Sequence, residues 1–158
     1  MIDRRSFFTS GALAAGALAL ATRRTASADP MPPTTPPAKK PAPDTRQPLL
    51  DALAACIAKA YACQAHCASQ LGAGNREFVR CNAAVADVLL VGEALRSLVS
   101  RGSVNAKKLA DTCAAVCKEC SAACLEHKAH FAHGMHLECK ECMDACDACA
   151  KACAAFVA

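Results

Sequence analysis

The sequence predicts an all-α protein, an antiparallel up-down-up-down four-helix bundle with a cysteine-lined core. Three observations predict it. Cysteines recur in helical steps: Cys139, Cys142, Cys146, Cys149 and Cys153 step by 3, 4, 3, 4, and Cys113, Cys117, Cys120 and Cys124 by 4, 3, 4. Those are the a and d positions of a heptad, the stripe that faces the centre of a bundle. All eight prolines lie between Pro30 and Pro48, so nothing beyond Leu49 breaks a helix. Gly72 and Gly74, Gly102, and Gly134 then cut the remainder into four helix-forming segments.

The first segment is predicted to run from about Thr45 to Leu71, with Pro48 in its first turn and Leu49, Leu53, Cys56, Ala60, Cys63 and Cys67 facing inward. The second, from about Asn75 to Arg101, turns in Phe78, Cys81, Val85, Val88, Gly92, Leu95 and Val99. The third starts after Ser103, a suitable N-cap, and carries Leu109, Cys113, Cys117, Cys120 and Cys124, with His127 on the same stripe. The fourth begins near Met135 and continues through Cys139, Cys142, Cys146, Cys149 and Cys153 to Phe156. Short loops make neighbouring helices antiparallel. That topology gathers Cys67, Cys81, Cys124 and Cys139 at one end with His66, His127, His130, His133 and His136. The opposite end holds Leu49, Leu53, Val99, Leu109 and Phe156, without histidine. The histidine end reads as a mouth and the apolar end as a closed base.

Ahead of this region, residues 1–28 read as a twin-arginine (Tat) export signal. Arg4 and Arg5 precede an apolar run from about Gly11 to Ala21, and Ala26-Ser27-Ala28 offers a small-residue cleavage site. The run is shorter than the roughly 20 residues of a membrane span. Export places the protein in the periplasm, an oxidising compartment where folding before transport would guard thiols. Residues 29–48 form a proline-rich linker and residues 49–158 the metal-binding domain. Without the signal, 14 basic and 13 acidic residues remain. That balance offers no basic stripe for nucleic acid.

Cysteine on these stripes points to metal. Neighbours at i, i+3 or i, i+4 have Cβ atoms about 5–6 Å apart, whereas a disulfide needs about 3.5–4.5 Å. Bridges within one helix are therefore excluded, and thirteen is odd; bridges between helices stay geometrically open. A metal relaxes the distance, because two metal–sulfur bonds of about 2.3 Å span sulfurs up to about 4.6 Å apart. Charge selects the ion. Bound thiols are deprotonated, and unpaired buried charge is prohibitive. A monovalent ion for each thiolate gives a neutral core, which makes Cu(I), several ions per chain, the leading candidate. Zinc in a tetrathiolate site would leave a net charge of −2, and iron–sulfur clusters need four thiolates converging on one point. Small thiols alone also pack well in cores, but thirteen on inward stripes exceed that role. His127, Met135 and His136 are candidate non-cysteine ligands beside the cysteines. The same loop also reads as a solvated polar turn, the better reading for His130 and His133. His66 is expected to point outward and Met143 to pack.

With its inward Cys-x-x-x-Cys and Cys-x-x-Cys motifs from Cys56 to Cys153 on four helices, the chain resembles the bacterial copper storage proteins. The resemblance covers about Leu49 to the C-terminus, and the Tat signal matches the exported branch. It implies a homotetramer of four-helix bundles, many Cu(I) ions bridged by thiolates inside each, and all thirteen cysteines as ligands. Histidine or methionine at the open end would serve the outermost ions, and a copper-requiring enzyme could be the client. The functional expectation is storage of Cu(I). A detoxification sink shares the same chemistry, and a disulfide-held exported interaction module is the alternative of another class. No paired carboxylates or nucleophile–base set argues for an enzyme.

Overall fold

The structure is a computed structural model that describes residues 44–131 and 133–158; the expected signal and most of the proline-rich stretch lie outside the described residues. It is all-helical. Helix α1 spans Arg46–Gly72, α2 Val79–Ser100, α3 Ala106–Leu125, α4 Lys128–Phe131 and α5 Leu137–Val157, with a 3-10 turn at Arg76–Phe78 and no strand among the described residues. Pro48 falls in the first turn of α1, where its missing N–H forfeits no helical bond.

The three boundaries between the four segments close the same way. Gly74, Gly102 and Gly134 have φ of 91°, 68° and 69°. In each case the next residue's N–H reaches back five residues: Asn75 to the Gln70 carbonyl at 3.0 Å, Ser103 to Leu98 at 2.9 Å and Met135 to His130 at 3.1 Å. This is the Schellman stop, which satisfies an orphan carbonyl at the cost of a left-handed residue that glycine supplies without strain.

The four long helices pack in a ring: α1 lies against α2 and α5, and α3 against α2 and α5. The core runs the length of this ring. Leu49, Leu53, Leu95, Val99, Ala106 and Ala110 are buried at the end where α1 and α3 start. There Arg46 donates to the Ser100 carbonyl and Lys107 to the Val157 carbonyl at 3.4 Å, tying the helix ends together. Among the described residues, no helix is long and apolar enough to cross a membrane.

Boundaries differ from the sequence expectation in three helices: the third starts at Ala106, with Asn105 and not Ser103 at its N-cap, and stops at Leu125 before His127. The last helix starts at Leu137 because His136 adopts φ 54° and ψ 36°, a left-handed geometry that cannot be continued as helix. The second starts at Val79, after the 3-10 turn. Gly92 is a buried glycine inside α2, and a Cβ built there meets Ile57 Cγ1 at 3.4 Å, ordinary contact. Gly92→Ala is therefore expected to stabilise the protein by about 0.5–1 kcal/mol, read as a higher midpoint in urea unfolding.

Candidate metal centre

All thirteen cysteines are buried and unbridged. Helix α1 supplies Cys56, Cys63 and Cys67, α2 Cys81, α3 Cys113, Cys117, Cys120 and Cys124, and α5 the remaining five. Their 3-4 spacing keeps them on one face of each helix, so the sulfurs meet along the bundle axis. Cys63 Sγ lies 3.9 Å from Cys67, 3.8 Å from Cys81 and 4.0 Å from both Cys124 and Cys139. Cys81 and Cys124 are 3.6 Å apart. Further down, Cys142 is 3.8 Å from Cys120 and 4.0 Å from Cys146, which is 3.7 Å from Cys56.

These contacts form a connected column. Five sulfur groups have all members within 4.8 Å of one another: Cys63/Cys67/Cys81/Cys139, Cys63/Cys124/Cys142, Cys120/Cys142/Cys146, Cys56/Cys117/Cys146 and Cys113/Cys149/Cys153. Every cysteine belongs to at least one group, and Cys63, Cys142 and Cys146 each belong to two. The shared members link the first four groups in series. The column is also off-centre. Helix α2 brings only Cys81, and the rest of its buried face is Val85, Val88, Leu89, Gly92, Leu95 and Val99.

Proton sharing divides the sulfurs. Hydrogen bonds with Cys117, Cys149 and Cys153, together with burial, push the Cys113 thiol up. Bonds with Cys120 and then Cys139, Cys142 and Cys63, again with burial, do the same to Cys124. Bonds with Cys120, Cys124, Cys146 and Cys63 hold Cys142 down, and those with Cys113 and Cys149 lower Cys153 to about 4. The thiols thus share hydrogen bonds along the column, with either sulfur of a pair able to donate. Filling the column with metal must release the protons that remain.

The histidines gather at the end where α1 stops and α5 starts. His127 is 3% exposed and its Nε2 has no hydrogen-bond partner. Its ring stacks on the fully buried Phe78, with centroids 4.2 Å apart and planes within 3°. His136 is half-buried, and burial, then the neighbouring His66, His130 and His127 rings, lowers its pKa and keeps it neutral. Met135 is 46% exposed, at the rim. His130 is half-buried and His133 exposed, while Met143 packs against the core.

His66 corrects the sequence expectation. It turns inward: its Nε2 lies 3.0 Å from His136 Nδ1, and its ring packs edge-on to Phe78 at 5.5 Å. Its position three residues after Cys63 was the available signal, since i, i+3 neighbours share a helix face. Glu138, whose Oε2 is 3.5 Å from His66 Nδ1, was not anticipated at this end, and Phe78, expected inward, was not expected to pack against the imidazoles. Neither sits in a ligand-type motif.

A buried column of thirteen linked sulfurs with imidazoles at one end is a container for thiophilic metal. No individual curated protein matches the chain in a sequence comparison. The family model described as "Copper storage protein" matches residues 43–158, which take in every helix among the described residues, and the chain belongs to the copper storage protein family.

Proposed function

We propose that this protein stores copper as Cu(I), several ions per chain, held by its thirteen cysteine thiolates and admitted at the histidine end. The observation that carries the reading is the sharing of sulfurs between groups. Bridging thiolates balance monovalent ions one for one, and sulfurs 3.6–4.0 Å apart lie within the roughly 4.6 Å that two metal–sulfur bonds span. The helices run up-down-up-down, so His127, His136 and Met135 stand where ions pass into the column. The protein is exported by the Tat route as a folded chain beginning near Asp29, works in the periplasm, and assembles as a homotetramer that supplies a copper-requiring client. It has no catalytic role. A sink for excess copper uses the same column and differs only in whether copper leaves to an acceptor.

One observation favours a second reading. Cys63, Cys67, Cys81 and Cys139 form a four-sulfur group, and 3.8 Å between Cys63 and Cys81 matches a tetrahedral tetrathiolate. A single structural zinc there would leave nine cysteines without a role and two negative charges buried. Anaerobic titration of the reduced protein with Cu(I) against a competing chelator separates the readings. Tight uptake of about ten or more equivalents is expected from the thiol count. Saturation at one or two ions, or zinc binding tighter than copper, overturns storage, and a low count of free thiols favours the disulfide-held module.

A further inference from the structure

On the reading of the column as a copper store filled from the histidine end, we infer that Phe78 pins a lid of four rings over the sulfurs and sets the rate at which copper enters and leaves, without binding it. Each long helix, or the turn beside it, brings one ring to this end, three residues from a cysteine. His66 follows Cys63, Phe78 precedes Cys81, His127 follows Cys124 and His136 precedes Cys139. With α1 and α3 ending here and α2 and α5 starting here, every ring stands about one helical turn outside its cysteine. The sulfurs of those cysteines meet: Cys63 lies 3.8 Å from Cys81 and 4.0 Å from both Cys124 and Cys139. A layer of rings thus covers a layer of sulfur. Cys67, next to His66 in the chain, is fully buried as well.

Phe78 is set apart by its chemistry. It takes the place that imidazole fills on the other three helices, yet its side chain carries no atom that binds metal. It is fully buried and touches all the other rings. Its face stacks on His127 with centroids 4.2 Å apart, and it meets His136 edge-on at 5.0 Å and His66 at 5.5 Å. These separations are ordinary ring contact and leave no passage for an ion. The 3.0 Å hydrogen bond between His66 and His136 closes the remaining side. At the far end, buried Leu49, Leu53, Leu95 and Val99 fill the axis. Opening therefore falls to the segment that carries Phe78. That segment is a three-residue 3-10 turn, Arg76–Phe78, entered from Gly74 at φ 91° and held by the Phe78 N–H donating to the Asn75 carbonyl at 3.3 Å. A turn with so few backbone bonds opens at less cost than a helix. An ion passes the imidazoles while Phe78 is displaced, and the ring closes behind it.

The test is kinetic. Wild-type protein and Phe78→Ala are loaded anaerobically with Cu(I) and the bound copper is counted. Excess bathocuproine disulfonate then draws the copper out while absorbance is followed. Wild-type release is expected to be independent of chelator concentration, because opening limits it. Phe78→Ala, having lost three ring contacts, is expected to load and release about tenfold faster or more, at rates that rise with chelator concentration. Its copper count and affinity stay at wild-type values, since the ring holds no ion. Phe78→Leu, which keeps bulk without the ring faces, falls between the two and carries the test if the alanine variant does not fold. Leu95→Ala, near the far end of α2, opens a core cavity of its own and leaves the release rate unchanged. Wild-type rates in the Phe78 variants, or equal acceleration in Leu95→Ala, overturn the lid. A wild-type count of only one or two ions, read before any chelator is added, overturns the store itself.

Discussion

Cys142→Ala is expected to remove about two Cu(I) ions from the saturated protein and Cys153→Ala about one or fewer. The difference follows from connectivity. Cys142 belongs to two sulfur groups, with Cys63 and Cys124 on one side and Cys120 and Cys146 on the other, whereas Cys153 belongs to one. Cutting the column at a shared sulfur leaves two sets of ligands short; trimming it at the base leaves one. Alanine is preferred to serine because a buried hydroxyl without a partner adds a penalty of about 1–3 kcal/mol that is unrelated to copper. Metal analysis after desalting, with circular dichroism to check folding, makes the comparison. Equal losses from both variants would mean that the ions sit in independent sites and the sulfurs are not shared.

Copper loading is expected to raise the melting temperature by more than about 20 °C. Helices α3 and α5 bury only cysteine and alanine on their inward faces, side chains that contribute little apolar area. The empty column is therefore a weak core, and metal linking all four long helices replaces the missing cohesion. Each ion at about 1,000 times its Kd stabilises the native state by about 4 kcal/mol, less whatever the unfolded thiols also bind. Several ions together far exceed the roughly 5–15 kcal/mol of an ordinary domain. Anaerobic thermal scans of empty and loaded protein measure the shift. An unchanged midpoint would place the copper outside the core.

The sequence made the sulfur column legible because helical periodicity is a local property. A thiol every three or four residues can face only one way once the helix forms, and all thirteen are buried as that spacing requires. The positive-φ glycines at the turns were legible for the same reason, as single residues with a single conformational use. The mouth was not. Helix α3 stops at Leu125, so the stripe that pointed to His127 ends before reaching it, yet a turn returns the ring to stack on Phe78. His66, Phe78 and His136 come from three separate segments, and their meeting is set by how α1, α2 and α5 pack. No periodicity within one helix encodes that.

The aliphatic face of α2 has a consequence for how the molecule tolerates being emptied. Val85, Val88, Leu89, Leu95 and Val99 pack against α1 through Leu49, Leu53 and Ile57 with no help from metal. That hairpin is a permanent spine. The walls formed by α3 and α5 depend on what the column contains, so compliance is unevenly distributed around the ring. A vessel built this way can slacken on one side as its cargo leaves while the other side keeps the chain in register for refilling.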